Sequence, residues 1–189
     1  YAGEREYDTS VIRKMTDKIR HRGPDSQDAF VEGKVGLGFV RLSIIDLEGG
    51  SQPMFNEDKN LVLIFNGELY NFQDIRKELV EAGHVFTTHT DSEILLHGYE
   101  EWGKEGLLGR LRGMFAFVIF DRTKKTLFGA RDHFGIKPFY YYHKDGTFLF
   151  GSEIKSFLAH PDFQKELFEE KLPDFMTFGC IPGAETFFR

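Results

Sequence analysis

The sequence predicts a layered α+β sandwich, with two mainly antiparallel sheets packed together and helices outside. Three observations predict it. The stretches LVLIF at 61–65 and MFAFVIF at 114–120 are unbroken apolar runs, and a strand that is apolar on both sides of its pleat needs cover on both faces. Strand-like runs cluster in the second half of the chain rather than alternating with helices, which favours a sandwich over a parallel wound sheet. Polar turns at 121–125 and 144–146 separate those runs and suggest antiparallel hairpins.

The elements follow in order. Val11, Ile12, Met15 and Ile19 share one helical face, and Gly23-Pro24 is expected to stop that helix. Short strands are expected at 28–31, 35–40 and 61–65. Asn71 can cap a helix whose apolar positions include Ile75, Leu79 and Val80, with Gly83 as its stop. Thr90 and Glu93 have the spacing of a capping box for a second helix through Ile94, Leu95, Gly98, Tyr99 and Trp102. Strands at 114–120, 126–130, 138–142 and 147–151 come next, and a last helix is expected over 169–177.

Bulk properties narrow the function. A chain of 189 residues with 41% apolar and 29% charged residues suits one soluble domain, and 21 Phe give it a large aromatic core. A net charge of −6 argues against a nucleic-acid surface, which needs a concentrated basic patch. No apolar run reaches membrane-spanning length and no signal-peptide pattern opens the chain, so a cytoplasmic location with no membrane partner is expected. The single cysteine, Cys180, excludes an internal disulfide and reads as a packing residue. Seven His show no metal-ligand spacing, and His84 and His89 flank a strand-like segment where exposure is expected. No Walker-type loop and no Gly-x-Ser-x-Gly elbow is present. Neither end resembles a natural terminus, which suggests a piece of a longer protein.

Five segments come into question for the chemistry. Arg41, at the end of an apolar strand, offers a planar fork suited to a carboxylate, or else a surface ion pair. Asn66-Gly67-Glu68 follows the run at 61–65. Asn-Gly is a strong hairpin signal, yet an amide beside a glycine N–H can also form an oxyanion hole. Asp91 could accept an ammonium group or merely complement a helix dipole. The segments RGPDS at 22–26 and RDHFGIKP at 131–138 read by themselves as a turn and a charged connection.

Taken together these segments fall into one order. The chain resembles the class II glutamine amidotransferase domain of glutamine-hydrolysing asparagine synthetases. The resemblance rests on RGPDS at 22–26, RLSIIDL at 41–47, GGSQPM at 49–54 and FNGELYNF at 65–72. It continues through HTDSEILLHGYEEWG at 89–103, LRGMFAFVIFD at 111–121, ARDHFGIKP at 130–138 and FGSEIKSF at 150–157. Sugar-phosphate and purine-pathway amidotransferases look less similar.

The resemblance implies an N-terminal-nucleophile fold, a four-layer αββα sandwich, and a nucleophile that is the thiol of an N-terminal cysteine activated by its own α-amine. It implies that Asn66 and the N–H of Gly67 stabilise an oxyanion, and that Arg41 holds the glutamine α-carboxylate. Asp91 would bind the α-ammonium with Glu68 assisting, and the backbone near Leu42 and Ile44 would complete the pocket. No cofactor is implied within residues 1–189. ATP and Mg²⁺ are expected only in a C-terminal ATP-dependent synthetase domain, the implied partner, and a homodimer is left open. The expected Cys-Gly-Ile-like start is not among the 189 residues, so the alternative is a non-catalytic module that binds an amino acid or serves as a scaffold.

Overall fold

The computed structural model describes residues 1–42 and 50–188. Its helices are α1 (Thr9–Asp17), α2 (Phe72–Glu81), α3 (Glu93–Leu108) and α4 (Leu172–Phe178). Its strands are β1 (Ser26–Glu32), β2 (Val35–Arg41), β3 (Met54–Phe55), β4 (Leu61–Leu69), β5 (Gly113–Asp121), β6 (Thr126–Arg131), β7 (Tyr140–Lys144) and β8 (Thr147–Gly151).

Each pairing between these strands is antiparallel. One sheet has the order β3-β4-β5-β6. The other is built from the hairpins β1-β2 and β7-β8, joined through Ala2, which bridges Val35 on one side and Phe148 on the other. The Ala2 N–H donates to the Phe148 carbonyl at 2.8 Å, and the Phe148 N–H donates back at 2.7 Å.

Strand alternation sorts the core into three slabs, which is what four layers require. Leu61, Leu63, Phe65, Phe115, Phe117 and Ile119 turn one way and meet Ile75 and Leu79 of α2 and Ile94, Leu95 and Tyr99 of α3. Val62, Val118 and Phe120 turn the other way and meet Leu37 and Phe150 of the second sheet. On that sheet's far side, Tyr142 and Leu149 pack with Ile12 and Met15 of α1 and with Phe157. The αββα sandwich is therefore the observed fold, and the two unbroken apolar runs are the strands buried on both faces.

Several local expectations are corrected. Helix α1 stops at Asp17, before Ile19, because a short 3₁₀ turn at Arg20–Arg22 takes over ahead of Gly23-Pro24. Asn71 sits at the start of α2 but does not cap it. Its side chain instead clamps the segment after α3, donating to the Arg110 carbonyl and accepting the Arg112 N–H at 3.0 Å. Gly83 does end α2 at φ +104°, with the His84 N–H reaching back to the Leu79 carbonyl and the Gly83 N–H to Val80, a Schellman closure. Residues 84–89 form no strand. Residues 169–178 form a 3₁₀ turn followed by α4 rather than one helix, since Pro173 lies in the first turn of α4 and lacks the N–H that would continue a helix from before it.

Candidate active site

Strand β4 carries the core into a cleft. The run at 61–65 does not turn at Asn66-Gly67; the strand continues to Leu69, with Asn66 opposite Ala116 and Gly67 opposite Phe115 on β5. The hairpin reading is thereby overturned, and the glycine has another cause. A Cβ on Gly67 would stand 2.3 Å from the Met114 carbonyl oxygen and 2.8 Å from the Phe115 Cα. Only glycine fits so close to the neighbouring backbone.

The edge of β4 facing β3 needs help at this point, because β3 pairs only with Val62 and Leu63. Gln52 supplies it. Its Oε1 accepts the Phe65 N–H at 2.6 Å and its Nε2 donates to the Phe65 carbonyl at 3.2 Å. A buried side-chain amide thus replaces a missing strand residue, and the backbone just before Asn66 is fixed. The Asn66 amide nitrogen is itself sealed from solvent and has no hydrogen-bond partner among the described residues. Leaving a buried donor unpaired costs about 1–3 kcal/mol, so an acceptor arriving in the cleft would find a donor already desolvated.

Arg41 ends β2 opposite Ser26. The RGPDS segment grips its backbone: the Asp25 N–H donates to the Arg41 carbonyl at 3.1 Å, and Gly23 lies so close that a Cβ there would be 2.4 Å from the Arg41 nitrogen. The Arg41 guanidinium turns toward Gly50, where a Cβ would meet Nη2 at 2.7 Å and the Thr90 methyl at 3.3 Å. Gly50 is the gap through which Arg41 and the Thr90-Asp91 corner come close together.

Asp91 lies one residue beyond Thr90, ahead of α3. Its Oδ2 accepts the Leu69 N–H at 2.8 Å, which ties this corner to the end of β4. Burial, reinforced by the nearby Glu68 carboxylate, raises the Asp91 pKa above the usual carboxylate value against the pull of the Leu69 bond. Glu93 does not complete a capping box with Thr90. Its carboxylate reaches further back, to the backbone N–H groups of Thr87 and Thr88 at 2.8 Å each and to both hydroxyls. Burial opposes its charge, but those donors together with His97 pull its pKa down to about 2.

These residues line a single cleft of about 440 Å³ that runs between β2 and β8 and opens over β4. Arg41, Leu42, Asn66, Gly67, Glu68 and Asp91 all line it. Leu42 is largely exposed at its rim, and Ile44 lies outside the described residues. Among the site residues expected from the sequence and described, the structure therefore brings every one to the same cavity.

Sequence reasoning missed Gln52 and Gly50. Both sit in the GGSQPM motif, and a glutamine between glycines and a proline, before a strand, was the available signal. It also missed Lys137, which lines the cleft. The turn carrying Lys137 is organised by Asp132, whose carboxylate accepts the N–H groups of Phe115, Phe134, Ile136 and Lys137 at 2.9–3.2 Å. Burial opposes charge on Asp132, but those four bonds prevail and hold its pKa below the ordinary value. Cys180 is not a packing residue. It is exposed beyond Gly179, which ends α4 in the left-handed region at φ +70°.

No helix among the described residues is long and apolar enough to cross a membrane. Comparison with known proteins agrees with the fold and the motifs. The chain is 45% identical over 181 residues to asparagine synthetase (glutamine-hydrolyzing) 3 of Bacillus subtilis, covering 94% of this chain and 29% of that protein. It is 45% identical over 177 residues to asparagine synthetase (glutamine-hydrolyzing) 1 of the same organism, covering 93% and 28%. The chain thus spans less than a third of the length of these relatives. The glutamine phosphoribosylpyrophosphate amidotransferase from B. subtilis, complexed with ADP and GMP, shares the fold with a TM-score of 0.68 at 23% identity, over 84% of this chain and 42% of that one. A glutamine amidotransferase domain family matches residues 1–189 from end to end, and the chain belongs to that family.

Proposed function

We propose that this domain hydrolyses the side-chain amide of free glutamine and delivers ammonia to an acceptor activated by an ATP-dependent synthetase domain of the same protein. The observation that carries the reading is one cleft lined by a guanidinium, a half-buried carboxylate and an amide donor without a partner among the described residues. Free glutamine is a zwitterion with a reactive amide at its far end, so it needs all three. Arg41 takes the α-carboxylate, Asp91 with Glu68 takes the α-ammonium, and Asn66 with the Gly67 N–H receives the carbonyl oxygen as it becomes an oxyanion.

The nucleophile is the thiol of an N-terminal cysteine, as the resemblance implies. Register supports its place. Ala2 is opposite Val35, antiparallel to β2, so a chain continuing before Tyr1 advances along β2 toward Arg41, in the slot between β2 and β8. The α-amine takes the thiol proton, and the thiolate attacks the amide carbon. As the C–N bond breaks, ammonia leaves with that proton and a thioester remains. Water then hydrolyses the thioester, yielding glutamate and restoring the thiol.

The relatives are named asparagine synthetases, which makes aspartate the proposed acceptor; ATP and Mg²⁺ belong to the proposal only as the cofactors expected in the synthetase domain. A cytoplasmic location fits that reading.

The test uses the full-length protein and a diazoketone analogue of glutamine, which alkylates a thiol seated at the amide carbon. One label per chain on the N-terminal cysteine, blocked by excess glutamine, is the expected result. Glutamine binding without labelling or turnover would favour the non-catalytic module instead.

A further inference from the structure

Outside the cleft, on the helical face of the first sheet, His84, His97 and Glu100 converge. Each can offer a ligand atom, and these atoms all lie within 4.8 Å of one another. His84 comes from the Schellman closure of α2. His97 and Glu100 are three residues apart on α3 and so share a helical face.

His97 carries the argument. Its side chain is 1% exposed, and neither ring nitrogen has a partner at hydrogen-bond geometry among the described residues. Carboxylate oxygens nonetheless surround it: Glu100 at 3.4 Å and Glu57 at 3.6 Å from Nδ1, and Glu93 at 3.5 Å from Nε2. A charge-assisted hydrogen bond draws its partners to about 2.7–2.9 Å. These carboxylates ring the imidazole without closing on it.

The neighbours are arranged as a metal site's surroundings are. The Asn56 amide holds Glu100 Oε1 at 2.7 Å, which leaves Oε2 facing His97. Glu93 stands behind Nε2, the place of the carboxylate that orients a metal-bound histidine through its other nitrogen. Glu101 lies 3.2 Å from His84 Nε2, so four carboxylates gather around two imidazoles and leave a surplus of negative charge. Glu57 reaches in from the β3–β4 turn and is half exposed, a fourth donor at the open side.

We propose that His84, the Nδ1 of His97 and Glu100 bind one divalent transition-metal ion of the zinc class, with Glu57 or water completing the coordination. Two imidazoles and a carboxylate suit zinc rather than calcium or magnesium, which take all-oxygen sets. Donors about 2.0–2.1 Å from a shared zinc ion lie roughly 3.4 Å apart, so side-chain rotation alone closes the site. The ion would fasten the end of α2 and the β3–β4 turn to α3. Through Glu93, which holds Thr87 and Thr88, it would also steady the connection that leads to Asp91. The site takes no part in the hydrolysis proposed above.

The experiment is zinc titration by calorimetry of chelator-treated full-length protein, with Cys180→Ala as the background and the N-terminal thiol blocked, so that exposed thiols do not compete. Cobalt serves as the optical probe. The expected result is one equivalent of zinc bound in excess of a His84→Ala, Glu100→Gln double variant, together with the visible bands of a tetrahedral cobalt centre that the double variant lacks. Asn56→Ala, which touches no metal, should weaken zinc binding about 10–100-fold. His84 and Glu100 reach the surface, so these variants test the site without emptying the core as His97→Ala would. Equal zinc binding by the parent and the double variant, or no saturable binding at all, overturns the proposal whatever the glutaminase activity.

Discussion

The Asp91 carboxylate accepts the backbone N–H of Leu69 at 2.8 Å, and this one bond joins two segments of the cleft that are far apart in the sequence. Leu69 is the last residue of β4, the strand that carries Asn66, Gly67 and Glu68, and Asp91 stands ahead of α3. The group proposed for the substrate ammonium is therefore positioned by the same strand that holds Asn66, the proposed oxyanion donor. Asp91 Oδ2 makes this tie, and the residue also lines the cleft. Asp91→Ala should destabilise the domain by about 1–3 kcal/mol, because the buried Leu69 N–H loses its acceptor. Asp91→Asn should keep the tie, melt near the parent and still lose glutamine affinity. Comparing the two melting temperatures checks the structural half of this relationship.

Asn66→Ala should lower kcat for glutamine hydrolysis about 10²–10³-fold, the usual effect of removing one oxyanion donor. Synthesis driven by free ammonia in the full-length protein should survive, since ammonia bypasses the amide chemistry. Thermal stability should hold or rise, because the variant deletes an unpaired buried donor. Equal loss of both activities would show that Asn66 is structural.

Arg41→Ala should raise the Kd for glutamine about 10–150-fold, the equivalent of roughly 1.5–3 kcal/mol for a charged hydrogen bond. An analogue without the α-carboxylate should bind the parent weakly and the variant no worse. That double comparison isolates the Arg41–carboxylate pair from any general damage to the cleft.

The pH dependence follows from Asp91. Its pKa is raised first by burial and then by Glu68, and only its ionised form attracts an ammonium. Glutamine affinity should therefore be full above that raised pKa and fall as pH drops through it, at a higher pH than an ordinary carboxylate would give. Glu68→Gln removes the neighbouring charge and should move the midpoint of that acid limb to lower pH. Calorimetric Kd values across the acid range, with the thiol blocked, check both statements. An unmoved midpoint would mean that another group controls the limb.

Gly67→Ala should destabilise the domain by about 1–3 kcal/mol or more through overpacking, because the new methyl would stand 2.3 Å from the Met114 carbonyl. Denaturant unfolding measures this directly. A variant as stable as the parent would mean that β4 and β5 part easily at this point.

The sequence by itself determined the layers and proposed the site residues, and the structure gathers the described ones in one cavity. Two apolar runs demanded cover on both faces, the strands after Met114 came in hairpins, and the ordered motifs named Arg41, Asn66, Gly67, Glu68 and Asp91. Local periodicity records burial, and motifs record chemistry, so both can be read from neighbours along the chain. What only the tertiary structure decided depends on atoms brought together from distant segments. Asn-Gly is a hairpin signal locally, yet at 66–67 the glycine answers to a carbonyl on β5 and the strand runs straight through. Asn71 and Glu93 have the right spacing for helix caps, but each found partners elsewhere, Asn71 at Arg110 and Arg112 and Glu93 at Thr87 and Thr88. His84 and His97 show no ligand spacing in sequence and face one another only because α2 packs on α3. Hydrogen bonds and steric limits act over a few ångströms in space, and the order of residues fixes those distances only after the sheets have paired.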